Sequence, residues 1–134
     1  MTGLIWFVQV VHYPLFAAVP PEAFEKYERD HQSLTTLVVG PAMLLEAASA
    51  FFLFFHADFP SNAKTLFGVS LALLALVWLS TALLQMPYHT VLSSGYSLET
   101  IKKLVNTNWI RTFAWTLRFL IVILIAVQLS NGAQ

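Results

Sequence analysis

The chain has 134 residues, 57% of them hydrophobic and 10% charged, with seven Lys plus Arg balancing seven Asp plus Glu. A soluble domain carries about 25% charged residues, so this composition, with a mean hydropathy of +0.69, marks one integral membrane domain over residues 1–134 and, lacking any basic run, gives no sign of a nucleic-acid partner. There is no cysteine, which excludes disulfides, thiolate zinc sites, cysteine nucleophiles and iron–sulfur clusters.

Four apolar segments follow in chain order, at about residues 2–19, 34–55, 66–86 and 109–129. Each is near the roughly 20 residues that cross a bilayer core. The first, MTGLIWFVQVVHYPLF, has no basic start and no cleavage motif, and reads as a retained span with Pro14 kinking its end rather than as a signal peptide. PPEAFEKYERDHQS then offers proline at a helix start and acids in the first turn, with no breaker before the second span. HADFPSNAK is a turn-rich connection to the third span. SLETIKKLVNTN opens a helix with Ser97 as N-cap and Glu99 in its first turn, again running into a span without a breaker. The fold class is all-α: a four-transmembrane-helix up-down-up-down bundle. Two helices, Glu22–Phe55 and Leu98–Leu129, are about 48–50 Å long and extend beyond the membrane on one side.

Orientation follows from Lys and Arg. Lys26, Arg29, Lys102 and Lys103 lie on the extension side and only Lys64 lies opposite. By the positive-inside tendency the extensions are cytoplasmic and both termini extracytoplasmic. An internal two-hairpin repeat is also suggested: sliding the chain by 77 residues places His12 on His89, Leu15 on Leu92, Glu22 on Glu99, Lys26 on Lys103 and Thr35 on Thr112.

The polar residues inside the spans carry the functional reading. Arg118 lies about 15 Å along the fourth helix from Asn108, and Glu46 is the one acid deep within a span. An arginine at that depth costs at least about 2.5 kcal/mol and faces protein or a cavity. A structural Glu46–Arg118 pair and a pair that also lines a substrate cavity both fit. Arg111, nearer the interface, can reach the head groups, so structure or lipid contact is its first reading. Asn108, Arg111, Trp115 and Arg118 form one helical stripe that points inward. His12 and His89 sit beside a proline and a tyrosine near the cytoplasmic ends of their spans, with His31 and Asn108 opening the next ones. These residues predict one pocket opening toward the cytoplasm. His89 is the candidate base, Arg111 and Arg118 stabilise an anion, and His12, His31, Asn108, Trp115 and Glu46 bind substrate. The E-x-x-H pair Glu28–His31 resembles di-iron carboxylate spacing; if a metal binds, His12, Glu28, His31 and His89 are its ligands. Bis-histidine haem needs His12 and His89 to face across the bundle.

STALLQMPYHTVL followed by LVNTNWIRTFAWTLRFL resembles the anthrone-oxygenase-like family of small four-helix membrane proteins. The matching positions are Pro87, His89 and Leu92, then Asn108, Trp109, Arg111, Thr112, Trp115 and Arg118. His89 departs from the pattern, where asparagine is more typical. The resemblance covers the second half best. It implies an oxygenation or related redox step on a flat polycyclic or phenolic molecule, without an obvious cofactor. The residues permit such a step: a histidine to deprotonate a phenol, arginines to hold the phenolate, aromatics to stack the ring. Two alternatives stand beside this redox enzyme: a metal- or haem-binding membrane redox protein, and a non-catalytic subunit or carrier. The expected partners are the bilayer and a lipophilic small molecule. Small bundles often oligomerise, but no small-xxx-small run here marks a face.

Overall fold

The structure, a computed structural model, describes residues 1–132, and the described residues are helical apart from short connections, with no strand. Helix α1 is Thr2–Ala18, α2 Pro21–His56, α3 Ser61–Leu92 and α4 Leu98–Gly132. By length and composition α2, α3 and α4 are each apolar enough to cross a membrane, and α1 is a shorter apolar helix. The two continuous long helices expected from the unbroken ledge sequences are present as α2 and α4, of 36 and 35 residues. At 1.5 Å per residue each is over about 50 Å long, against a hydrocarbon core of about 30 Å.

The wet end is recognisable from its charges. Along the first turns of α2 and α4 run the exposed pairs Glu25–Arg29, Lys26–Asp30 and Glu99–Lys103 at i, i+4 spacing. Ser97 caps α4 through its hydroxyl, which accepts from the Thr100 amide at 3.2 Å.

Two features depart from four equal spans. First, α1 is short in space as well as in sequence. Its Thr2 hydroxyl donates to the Trp115 carbonyl and its Trp6 indole to the Thr116 hydroxyl, so it reaches only the middle of α4. Beyond that level α2, α3 and α4 continue without it, around Ala63, Phe67, Ile121 and Ile125. Secondly, α1 and α3 are each interrupted by one π-turn, Val8–His12 and Thr81–Gln85. Each turn ends at the residue before an X-Pro pair, Tyr13-Pro14 and Met86-Pro87. The amides of Tyr13 and Met86 bond the carbonyls five back, Val8 and Thr81. Proline lacks the amide that would continue the ladder and its ring crowds the carbonyl four back; a single wide turn relieves both. π-turns of this kind gather at functional sites.

These turns also revise the repeat. Val8–His12 and Thr81–Gln85 are separated by 73 residues, as are Pro14 and Pro87, whereas α2 and α4 start 77 apart. In local structure His12 therefore corresponds to Gln85, and His89 to Phe16. The starts of the long helices keep the 77-residue spacing, and the π-turns and prolines of α1 and α3 depart from it by four residues, about one helical turn.

α2 is the loosest element. Of its most apolar 18-residue window 11% is buried, against 28% and 33% for α3 and α4. It meets α3 through Phe54 on Phe67 near the 57–60 connection, and again at the wet end, where the Gln32 amide reaches the His89 carbonyl and the Ser93 hydroxyl. Between these contacts the two helices part. Pro41 lies in that stretch of α2 and the helix runs through it, without the bond Pro41 would have given the Leu37 carbonyl.

Candidate functional site

The polar residues of the bundle separate into three groups. The first is structural. Gln9 is buried; its carbonyl oxygen accepts from the Asn108 amide at 2.9 Å and the Thr112 hydroxyl at 3.3 Å, while its own amide donates to the Val105 carbonyl at 3.1 Å. Gln85, also buried, joins Ser80 and Thr107. These amides lock α1 and α3 to α4 where the π-turns turn them inward. Asn108 belongs to this lock, not to a cavity wall.

The second group answers for Arg118. Its guanidinium donates to Glu46 Oε1 at 2.6 Å, and the Trp115 indole donates to Glu46 Oε2 at 3.0 Å. Both carboxylate oxygens are thus engaged, and α2 is tied to α4. None of Glu46, Trp115 or Arg118 lines the cavity described next. The expected pair is present, and its geometry is that of a helix clamp rather than of a catalytic group. Trp115 serves a second purpose: the Arg111 guanidinium lies over its ring at 5.2 Å.

The third group is the candidate site. Glu28, with no exposed surface at all, accepts from His89 Nδ1 at 2.6 Å and from the Gln32 amide at 3.2 Å through the same oxygen, Oε1. Its other oxygen, Oε2, is buried without a partner. The carboxylate fixes the imidazole tautomer: the proton sits on Nδ1, leaving Nε2 as an acceptor. The Tyr13 hydroxyl, 3.0 Å away, donates to that Nε2. Next to this row, His12 Nε2 and His31 Nδ1 share a hydrogen bond of 2.9 Å, and the Thr35 hydroxyl is 3.1 Å from the same His31 nitrogen. The His31 and His89 rings are 5.3 Å apart, centre to centre.

Tyr13, His31, His89 and Arg111 face a cavity of about 470 Å³ between α2 and α3. Its remaining walls come from Gln32 to Leu44 on α2 and Trp78 to Thr90 on α3. Leu44 and Met86 on its rim are each 61% exposed, so it opens sideways, through the gap where α2 and α3 part. A pocket opening toward the wet end is not what the chain builds. That end is sealed by a layer of buried side chains, Tyr13, Phe16, Phe24, Leu92, Ile101 and Leu104. Nor do the eight expected residues share one cavity. His12 lines a smaller cleft of about 260 Å³ between α1 and α2, with His31 in the wall common to both.

Arg111 is placed differently from the interfacial reading. It is only 7% exposed and turned into the bundle, because the stripe it shares with Asn108 and Trp115 faces α1 and the cavity. Tyr13 is marked in the sequence only as the tyrosine beside His12, and Glu28 only as the carboxylate of E-x-x-H; the partner that Glu28 takes is His89, on another helix. Gln32, one turn after Glu28, carries no sequence signal of its own. Among the described residues, no three His, Asp or Glu side chains are arranged to hold a metal ion; Glu28 Oε1, both His89 nitrogens, His12 Nε2 and His31 Nδ1 are engaged in the bonds above.

No family model, curated protein or solved structure matches the chain. The chemistry of the site therefore rests on its own geometry.

Gly40 lines the cavity at the level of Pro41, and a Cβ there would meet only Thr36 Cγ2 at 3.9 Å. Gly40→Phe should therefore keep the fold while filling the opening. The expected result is an unchanged circular-dichroism spectrum and loss of binding of a lipophilic fluorescent probe. Undiminished probe binding would show that the cavity is not the binding site.

Proposed function

We propose that this protein is an up-down-up-down membrane bundle that performs proton-transfer chemistry of the oxygenase kind on a lipophilic aromatic substrate taken sideways from the bilayer. The observation that carries this reading is the Glu28–His89–Tyr13 row at the polar end of a cavity open between α2 and α3. A carboxylate on Nδ1 orients an imidazole and makes Nε2 the stronger base, the arrangement used for general base catalysis. A substrate hydroxyl seated against Tyr13 or in its place passes its proton to Nε2. Arg111, beside Tyr13 in the cavity wall, is placed to stabilise the phenolate that results. In an oxygenase-like step on an anthrone-type substrate, the deprotonated ring carbon forms a C–O bond with molecular oxygen. The hydroperoxide so formed loses water to leave a carbonyl, one oxygen atom ending in the product and the other in water. That the step is an oxygenation is what the resemblance to the anthrone-oxygenase-like family implies. A carrier would use the same cavity without turnover.

The test is oxygen uptake by the purified protein in lipid nanodiscs, offered a panel of anthrone-type and long-chain phenols, with products identified by mass spectrometry. Consumption that disappears in His89→Ala supports the reading. A bound but unchanged phenol, with no uptake across the panel, favours the carrier.

The Lys and Arg of the extension support an orientation with the charged end of α2 and α4 in the cytoplasm and the far end of α4 outside. A reporter active only in the cytoplasm should be silent when fused after Gln134; activity there would invert the topology.

A further inference from the structure

We infer that the cavity between α2 and α3 binds a lipid-like monoanion, an elongated apolar molecule ending in one carboxylate or phenolate, whose charged head is held by Arg111. This deepens the reading above and uses its site.

Arg111 and Arg118 lie two turns apart on one face of α4, both buried, yet their surroundings differ. Arg118 has Glu46. Arg111 has no carboxylate partner; among the described residues Asp30, Glu25, Glu99 and Glu46 each pair with another Lys or Arg, and Glu28 is taken by the His89 imidazole. Its Nε, like that of Arg118, is buried without a hydrogen-bond partner. Its neighbours are the Trp115 ring and the neutral Tyr13 hydroxyl, within side-chain hydrogen-bonding reach of the guanidinium, and neither supplies a counter-charge. A guanidinium in a membrane interior normally finds a counter-charge or water, and an uncompensated buried charge is strongly unfavourable. Here the missing counter-charge has a place to sit, because the side chain forms part of the cavity wall.

The shape of the cavity selects the rest of the molecule. From Gln32 to Leu44 on α2, and from Thr90 to Trp78 on α3, it spans about 18 Å of helix. Its wet-side end carries Gln32, His89 and Tyr13, and its far end Met43, Leu44 and Trp78. A slot polar at one end, apolar at the other and open to lipid along its side fits an amphiphile lying parallel to the acyl chains. The limit of one charge comes from Glu28. Its buried carboxylate lies directly behind the lining residues His89 and Gln32, and like charge disfavours a dianionic head such as a phosphate monoester.

The experiment measures binding to the protein in uncharged phosphatidylcholine nanodiscs by fluorescence titration. The probes are cis-parinaric acid and its methyl ester, and in a second arm a long-chain nitrophenol and its methyl ether. Wild type should bind at least one anion about tenfold or more tighter than its neutral partner, and the arm that shows the preference tells carboxylate from phenolate. Arg111→Met should bring that anion down to the level of the neutral compound and leave the neutral compound unaffected. Arg111→Lys, which keeps the charge and loses the planar fork, should fall between; it carries the test if the methionine variant fails to fold. Equal binding of anion and neutral partner in both arms of wild type overturns the inference, as does unchanged anion affinity in the variants. Anion binding without oxygen uptake would leave this inference standing and end the catalytic reading. Uptake with a neutral lipid, undiminished in Arg111→Met, would do the reverse.

Discussion

Arg118→Leu should cost the fold about 3–5 kcal/mol, the usual penalty for removing one member of a buried ion pair. The cost has two parts. The Glu46 carboxylate loses a 2.6 Å charge-assisted bond, and is left ionised among apolar side chains with only the Trp115 indole to satisfy it. The double change Glu46→Gln with Arg118→Leu removes both charges, so it should be less destabilising than Arg118→Leu alone. Thermal unfolding in detergent for the wild type, both single variants and the double variant gives the coupling directly. Additive losses would mean that the two side chains do not act as a pair. Because Trp115 also carries the Arg111 guanidinium on its ring, breaking the clamp should loosen the cavity wall as well. α2 should respond most, since little else holds its middle to α4.

The parts of this molecule that the sequence made legible are those set by local chemistry. Length and hydropathy mark the helices. The unbroken ledges predicted α2 and α4 as continuous rods, because nothing between Glu22 and Ser33 or between Leu98 and Asn108 stops a helix. The rarity of charge inside the spans singled out Glu46 and Arg118 as partners: two isolated opposite charges at matched depth have few other choices. What the sequence hid depends on pairing across helices. The inward direction of Arg111 is legible in the stripe it shares with Asn108, Trp115 and Arg118, whereas its place in the wall of a cavity, rather than near the head groups, depends on how α1, α2 and α3 pack around that stripe. The half-length reach of α1 follows from where Thr2 and Trp6 find partners on α4, and periodicity does not encode that. The two π-turns move the faces of α1 and α3, so matching by sequence spacing put His12 opposite His89 when Gln85 is its local counterpart. Glu28 is visible in the sequence only as the carboxylate of E-x-x-H, which draws attention to the i+3 residue His31, while the geometry pairs it with His89, 61 positions away.

His89→Ala should reduce turnover about 10²–10⁴-fold, the range for loss of a positioned general base, with the effect mainly on kcat. The imidazole is the one group whose two nitrogens are both committed to the polar row, Nδ1 to Glu28 and Nε2 to Tyr13. Removing it breaks proton transfer and leaves the cavity walls and Arg111 in place, so binding of the anionic probe should persist. Glu28→Gln is the sharper comparison. The amide is nearly the same size and can still accept from Nδ1, so the ring keeps its position, but the negative charge that strengthens Nε2 as a base is gone. Its kcat should fall by less than in His89→Ala, with little change in KM. Tyr13→Phe tells direct from relayed transfer: if the substrate hydroxyl replaces Tyr13 at Nε2, the variant stays active, and if the proton travels through the phenol, it falls to the level of His89→Ala. Oxygen-uptake rates with the substrate found in the nanodisc screen, measured beside thermal unfolding of each variant, separate lost chemistry from lost fold. A folded His89→Ala protein turning over at the wild-type rate would remove His89, and with it the Glu28 row, from the mechanism.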